Sequence, residues 1–216
     1  AVVHTIRQAG LMKDEVETVN DRRTKVILWS IAGTVGLLLG AAVVLYQGAR
    51  MQADLPVIGQ VTAFEFTERN GRPFGQDEMK EKITVVNFFF TTCTGPCPRM
   101  NAQVAELYRF YAGSNRVQFV SISVDPENDT LAALQEYARR LGAIDERWVF
   151  LRGPIGDVQK LSEHVFLLGG DMPTMHSTKL VLVDERAQIR GYYSSEEPAT
   201  LNILKTHIRE LAKELR

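Results

Sequence analysis

Residues 83–98 form the stretch ITVVNFFFTTCTGPCP, in which an apolar run is followed by two cysteines and two prolines. Its first part, Ile83–Phe90, is a nearly continuous run of β-branched and aromatic residues, which predicts a strand buried on both faces, as in a parallel sheet. Pro96 and Pro98 then predict the start of a helix that continues to about Tyr111, because proline is tolerated in a first helical turn. The two cysteines of the stretch therefore follow a core strand directly, at the edge where open α/β sheets collect ligands.

Strands and helices alternate through the rest of the chain. Residues 61–74 predict a hairpin that turns at Asn70-Gly71. Further strands are predicted over Val117–Val124, Trp148–Leu151, Thr178–Val183 and Gln188–Tyr193, and further helices from Asp129 or Thr130 to about Leu141, over Val158–Leu167 and over Ala199–Arg216. This alternation predicts one α/β domain over residues 61–216, with a central, mostly parallel sheet flanked by helices.

The composition narrows the class of protein. The chain has 216 residues and a formal net charge of −1 at pH 7. It has no basic stripe of the kind that binds nucleic acid, so that class is excluded. Only two cysteines occur, Cys93 and Cys97. A pair this close cannot form the disulfide framework of a domain, and it indicates a redox or metal site.

An uncharged apolar segment lies near the N-terminus, at residues 26–46. Its length matches the roughly 20 residues that a helix needs to cross a bilayer, and it exceeds the apolar core of a cleavable signal peptide. Basic residues are concentrated directly before it, in residues 22–25, which predicts a cytoplasmic tail over residues 1–25. We expect a single-pass inner-membrane protein in which residues 47–60 form a tether and the C-terminal domain lies in the periplasm or an organellar intermembrane space.

The spacing of the two cysteines suits joint chemistry. Cys93 and Cys97 are at positions i and i+4, so one helical turn would present both on the same face. The unpaired amides of a helix N-terminus favour a thiolate, and we expect this placement to lower the cysteine pKa values. Two soft thiolates favour Cu(I) or zinc over hard cations. The thioredoxin redox motif has a shorter spacing, but a disulfide between the two cysteines stays open as an alternative.

A metal held by two thiolates needs further ligands, and the histidines are the candidates. His176 lies in a glycine-containing loop before a predicted strand, a position where functional residues concentrate. Imidazole suits copper and zinc, although an ordinary loop histidine fits the sequence equally well. His164 and His207 fall in predicted helices and fit ordinary packing positions, and His4 lies on the other side of the predicted membrane segment. Fewer than four ligands favour Cu(I) or an open site over structural zinc.

Three elements, in the same order, resemble the Sco/SenC family. Cys93–Pro98 resembles its Cys-x-x-x-Cys-Pro motif, and Ser123–Thr130, which reads SVDPENDT, resembles its Ser-Val-Asp-Pro-Glu-x-Asp-Thr segment. His176-Ser177 before a strand resembles its His-Ser element. The resemblance covers most of residues 60–216 and implies a thioredoxin-like fold.

The resemblance also implies a function. It implies that one copper ion, as Cu(I) or Cu(II), is bound by Cys93, Cys97 and His176. Copper would then be delivered to the dinuclear copper centre of cytochrome oxidase subunit II or a related respiratory complex, the cysteines of that centre would be reduced, or both. By this resemblance the protein is a chaperone rather than an enzyme, and any catalytic role of Cys93 and Cys97 is thiol–disulfide exchange.

The chain departs from the family pattern at two places. Thr94-Gly95-Pro96 stands between the cysteines, where the family commonly has Pro-Asp-hydrophobic. Met175 precedes the histidine, where the family commonly has Asp. Both changes remove negative charge close to the predicted site. Met175 is expected to be an apolar plug over the site rather than an additional ligand, because methionine fills irregular gaps.

Two other functions stay open. The first is a membrane-anchored thiol–disulfide reductase that uses Cys93 and Cys97 without metal. The second is a resident, non-catalytic subunit of a respiratory complex. His176 distinguishes the first from copper delivery, because only delivery needs it as a ligand. A peroxidase resembling peroxiredoxins is disfavoured, since the Pro and Thr that precede the reactive cysteine of those enzymes are not both present in residues 89–92.

Overall fold

The computed structural model describes residue 25 and residues 27–43, 55–169, 177–197 and 199–214. The chain divides into two compact units, Ala1–Asp54 and Leu55–Arg216. In the first unit, residues 27–43 form helix α1, whose side chains are exposed. The predicted crossing at residues 26–46 extends outside the described residues. Within the described part of the chain, no helix is both long and apolar enough to span a membrane.

The second unit is built from strands and helices in alternation, as predicted. The strands are β1 (Gly59–Gln60), β2 (Glu65–Glu68), β3 (Pro73–Gly75), β4 (Ile83–Phe89), β5 (Val117–Ser123), β6 (Trp148–Arg152), β7 (Lys179–Val183) and β8 (Gln188–Ser194). The helices are α2 (Cys97–Phe110), α3 (Leu131–Leu141), α4 (Ile155–Lys160) and α5 (Thr200–Glu214), with a short 3-10 turn at Asp77–Met79 and a π-helical turn at Leu161–Val165.

The strands form one sheet in the order β1-β8-β7-β4-β5-β6-β2-β3. The three central strands β4, β5 and β6 are parallel, and every other neighbouring pair is antiparallel. The sheet is therefore mixed, and the prediction of a mostly parallel sheet is wrong. The reason is that the β2–β3 and β7–β8 hairpins add antiparallel strands on both sides of the parallel centre.

Part of the predicted tether at residues 47–60 lies in the second unit. Gly59 and Gln60 form β1 and pair with β8. The guanidinium of Arg190 also donates to the Leu55 carbonyl oxygen, with its Nε at 2.9 Å. These contacts attach the chain to the sheet from Leu55 onward.

Strand β4 lies in the middle of the core, and all of its residues are buried, which confirms the predicted burial on both faces. Val85 and Phe89 pack in one apolar cluster with residues of α2, α3 and α5. Val86 and Phe88 pack in a second cluster, which includes Phe166. Since successive side chains of a strand point to opposite faces, β4 joins the two halves of the core. Helix α2 and its first residue, Cys97, belong to the first half.

One of two predicted helix starts is confirmed, and the other differs from the sequence pattern. Thr130 caps α3, because its Oγ1 accepts a hydrogen bond from the Ala133 amide at 3.2 Å. Asp129, the other predicted cap, does not cap α3. The helix predicted over Val158–Leu167 instead begins at Ile155 and changes to π-helical geometry after Lys160.

Candidate functional site

The junction between β4 and α2 carries both cysteines. Cys97 is the first residue of α2, and Cys93 lies in the loop before it. The amide of Cys93 donates to the Phe90 carbonyl oxygen at 3.4 Å, so the loop turns back on the end of the strand. Cys97 is fully buried, whereas Cys93 is partly exposed. The site therefore has one accessible sulfur and one shielded sulfur, at the predicted edge of the sheet.

The two cysteines are thiols whose side chains share a hydrogen bond. Burial, the largest cause, and this hydrogen bond raise the pKa of Cys97 to about 12. The expectation that the helix N-terminus lowers the pKa is therefore wrong for Cys97. Removal from water disfavours the thiolate more than the first-turn amides favour it. Without a bound metal, Cys97 is a neutral thiol at neutral pH.

A buried carboxylate, Asp129, anchors the loop that carries Cys93. Its oxygens accept hydrogen bonds from the Thr91 amide at 3.2 Å and from the Thr91 hydroxyl at 2.5 Å. They also accept one from the Ser123 hydroxyl at 2.5 Å. Thr91 follows β4 and Ser123 ends β5, so Asp129 connects the ends of two neighbouring parallel strands. The loop between Thr91 and Cys93 is thereby fixed to the sheet.

A chain of buried polar side chains runs through the core beneath the cysteines. Trp148 Nε1 donates to Ser121 Oγ at 2.9 Å, and Ser121 Oγ donates to Asn87 Oδ1 at 2.7 Å. Asn87 Nδ2 donates to Asn101 Oδ1 at 2.9 Å, and Asn101 Nδ2 donates to Tyr137 Oη at 2.8 Å. These hydrogen bonds connect β6, β5, β4, α2 and α3 in sequence. They fix α2 against the sheet one helical turn beyond its first residue.

Tyr137 ends this polar chain next to the cysteines. Its ring stacks on Phe89 with the centroids 5.2 Å apart. Burial is the main cause that raises the pKa of Tyr137, and the nearby Cys97 and Cys93 add to it. The hydroxyl therefore stays protonated, and the ring forms an aromatic wall beside the dithiol.

Asp125 shapes the loop after β5. Its carboxylate accepts a hydrogen bond from the Asn128 amide group at 2.8 Å, and its carbonyl oxygen accepts one from the Asp129 amide at 2.9 Å. These contacts close the turn that places Asp129 beneath the Cys93 loop. Asp125 thus contributes to the site indirectly, by holding the turn that positions Asp129.

The predicted third ligand, His176, lies outside the described residues, as does Met175. Among the residues that the structure describes, no group of three or more His, Cys, Asp and Glu side chains is arranged to hold a metal ion. His207 is a packing residue, since its Nδ1 is hydrogen-bonded to Tyr193 Oη at 2.6 Å. His164 is exposed within the π-helical turn. The structure thus brings Cys93 and Cys97 together and leaves His176 a prediction.

Comparison with known proteins decides the family. A SCO1/SenC family model matches residues 56–213, which is most of the chain. The chain belongs to the SCO1/SenC family. The SCO1 protein homolog of Bacillus subtilis is 32% identical over 130 residues, which are 60% of this chain and 64% of that relative. The matched region thus spans less than two thirds of that SCO1 homolog.

Solved Sco structures share this fold. The structure of BsSco, described as a member of the Sco family of cytochrome c oxidase assembly proteins with a disulfide switch, has a TM-score of 0.67 and 23% identity. The matched region covers 74% of this chain and 96% of the BsSco chain. Copper-bound ScoI of Bradyrhizobium japonicum has a TM-score of 0.58 and 21% identity, covering 71% of this chain and 99% of that one. These matches confirm the predicted thioredoxin-like fold of the Sco proteins.

Three residues around the dithiol were not predicted from the sequence as part of the site: Asp129, Asn101 and Tyr137. Asp129 lies in the family-like segment Ser123–Thr130, so a buried acidic residue after a core strand was a usable signal. Asn101 follows Cys97 at helical spacing, and an asparagine on an otherwise apolar helix face indicates a buried polar contact. Tyr137 gave no such signal, because an aromatic residue in an amphipathic helix normally indicates core packing.

Proposed function

We propose that this chain is a copper chaperone of cytochrome oxidase assembly. It binds one copper ion through Cys93, Cys97 and His176 and delivers it to the dinuclear copper centre of oxidase subunit II. The proposal rests on the hydrogen-bonded thiol pair at the end of the central strand, in a SCO1/SenC domain. The copper bound to ScoI and the membership of BsSco in a family of cytochrome c oxidase assembly proteins support copper as the metal and oxidase assembly as the process.

The chemistry of the two thiols fits copper as a cargo. Sulfur is a soft ligand, and a pair of thiolates favours Cu(I). Binding must displace the protons of Cys93 and Cys97, and a bound metal deprotonates a coordinating thiol at neutral pH. The partly exposed Cys93 is accessible to an incoming ion or a recipient protein, whereas Cys97 is shielded from water. Copper affinity is therefore expected to fall as the pH falls.

The topology of the sheet supports His176 as the third ligand. Strand β7 runs antiparallel to β4, with Val86 opposite Val181. The start of β7 therefore lies at the edge of the sheet where β4 ends and the cysteine loop begins. His176 precedes β7 closely in the sequence. An imidazole attached there adds a ligand that suits both oxidation states of copper.

Copper binding by the full chain in detergent micelles tests this function. We expect one equivalent of Cu(I) in anaerobic competition with a chromogenic chelator. Cys93→Ser and Cys97→Ser each abolish tight binding, and His176→Ala weakens it by at least about tenfold. His164→Ala is the matched control and leaves the affinity unchanged. Affinity that is indifferent to His176, or to either cysteine, contradicts the three-ligand site.

We also propose that residues 26–46 anchor the chain as a single-pass helix. Residues 1–25 are then cytoplasmic, and the copper-binding domain, residues 61–216, lies in the periplasm or intermembrane space. The uncharged segment and the basic residues before it support this orientation. A membrane-impermeant maleimide should label Cys93 in intact spheroplasts. Labelling that requires lysis of the spheroplasts would reverse the orientation.

A thiol–disulfide reductase is the second candidate function. The shared hydrogen bond of the thiols places Cys93 and Cys97 close together, and a disulfide switch is described for BsSco. Equilibration with glutathione buffers measures the potential of the pair. A reversible disulfide that reduces an oxidised dithiol peptide without copper, equally fast in His176→Ala, favours the reductase. If both cysteines are dispensable and the chain co-purifies with oxidase subunits, a resident structural subunit is the better model.

A further inference from the structure

Asp129 differs from the other buried acidic residues of the described chain. Asp184 is fully buried and pairs with Arg190 at 2.7 Å. Glu68 is almost fully buried and lies 3.6 Å from Arg69. Asp129 is fully buried, yet no ion pair joins it to a basic side chain among the described residues. Burial of a charge is costly, so a carboxylate that is buried without a cation calls for an explanation.

The contacts of Asp129 are those of a carboxylate acting only as an acceptor. The amide and the hydroxyl of Thr91 donate to it from one side, and the Ser123 hydroxyl donates from the other. These hydrogen bonds replace water around the charge without neutralising it. Thr91 lies in the same loop as Cys93, two residues before it, so the carboxylate is held where that loop begins.

The charge acts on the cysteines as well as on the loop. The Asp129 carboxylate is hydrogen-bonded to Thr91, two residues before Cys93, so it lies close to the thiol pair. A carboxylate near the thiols favours positive charge at the site that they form. In the partly apolar surroundings of Phe89 and Tyr137, this effect is less screened than at the surface.

We propose that Asp129 is a positioning residue of the copper site: it fixes the Cys93 loop to the end of β5 and its fixed negative charge favours Cu(II) over Cu(I). This inference rests on the proposed copper-binding function. Cu(II) carries one more positive charge than Cu(I), so a nearby negative charge stabilises it more strongly. One unit charge near the site at a protein-like dielectric changes the ratio of the two affinities on the order of tenfold. Asp129 thus tunes the choice of oxidation state from outside the ligand set.

Two matched substitutions separate charge from position. Asp129→Asn removes the charge but keeps the shape, and its amide can exchange hydrogen bonds with the hydroxyls of Thr91 and Ser123, which donate and accept. Thr91→Val removes one hydrogen bond and keeps the charge. Cu(I) affinity is measured anaerobically against bicinchoninate, and Cu(II) affinity against glycine, with the full chain in detergent.

We expect Asp129→Asn to lower the ratio of Cu(II) to Cu(I) affinity on the order of tenfold. Thr91→Val should leave this ratio within about twofold of the native value. An unchanged ratio in Asp129→Asn, or an equal change in both variants, overturns the electrostatic role. A purely structural residue would weaken both affinities together.

A measurement without metal keeps the positioning role testable if copper does not bind. Asp129→Ala should accelerate amide hydrogen exchange at Thr91 on the order of tenfold, because the amide loses its acceptor. The amides of Val86 and Val120, in the central strands, should exchange at the native rate. A native exchange rate at Thr91 overturns the anchoring role. Absence of copper binding in the native chain, with faster exchange in the variant, refutes the proposed function and supports the anchor.

Discussion

Replacing Asn87 by leucine tests the buried polar chain. Asn87 lies on the central strand β4, accepts from Ser121 Oγ at 2.7 Å and donates to Asn101 Oδ1 at 2.9 Å. All three residues are fully buried. Leucine has a similar size but no polar group, so the Ser121 hydroxyl loses its acceptor and the Asn101 carbonyl oxygen loses its donor. Each unsatisfied group costs about 1–3 kcal/mol, which gives a loss of about 2–6 kcal/mol in the free energy of unfolding.

Urea unfolding measures this loss, with tryptophan fluorescence as the signal. Trp148 is fully buried and belongs to the same polar chain, so it reports on the affected core. Asn202→Leu, on an exposed position of α5, is the matched control and should change the stability by less than about 0.5 kcal/mol. A loss below about 1 kcal/mol in Asn87→Leu would mean that the hydrogen bonds of Asn87 contribute little to the stability.

A double variant refines the test. In Asn87→Leu with Asn101→Leu, the Asn101 oxygen no longer exists as an unsatisfied acceptor. The combined loss should therefore be smaller than the sum of the two single losses. Strict additivity would mean that the Asn87–Asn101 hydrogen bond contributes nothing to the stability.

Three further predictions concern stability. Asp184→Asn should lower the free energy of unfolding by about 3–5 kcal/mol in urea titrations, because Arg190 is then buried without its partner. The pKa of Cys97 rises from 9.0 to about 12 on folding. The contribution of this thiol to the free energy of unfolding is therefore complete below pH 9 and is lost as the pH rises towards 12. Urea titrations under reducing conditions should show a slope of up to about 1.4 kcal/mol per pH unit in that window, absent from Cys97→Ser. Gly142→Ala should lower the melting temperature, at a cost of about 1 kcal/mol, because φ is +78° after α3.

Local sequence patterns predicted most elements of the fold. The apolar run of β4 and the proline-marked start of α2 were confirmed, because they depend on burial and backbone preferences within one segment. The relative directions of the strands in the sheet were not predictable in the same way. Strand β2 pairs with β6, and β7 pairs with β4, across long stretches of chain. Those pairings depend on contacts between distant segments, which a local sequence pattern does not encode.

The site was predictable where residue type alone decides the chemistry. Two closely spaced cysteines indicated a dithiol, and the structure places Cys93 and Cys97 together. The direction of the Cys97 pKa shift was missed, because burial depends on how α2 packs on β4. Asp129 was assigned as a possible helix cap, since its actual donors, Thr91 and Ser123, belong to other segments.

The position of β4 has a consequence for the biogenesis of the protein. Its neighbour β7 is synthesised only after α2, β5, α3 and β6. Tyr137, whose ring lies beside the dithiol, belongs to α3. During synthesis, Cys93 and Cys97 therefore emerge before the elements that shield them. Long-range pairing of this kind forms slowly, so the nascent thiols stay open to oxidants and stray metal ions. Efficient maturation should consequently depend on a reductant that reaches the nascent chain before the sheet closes.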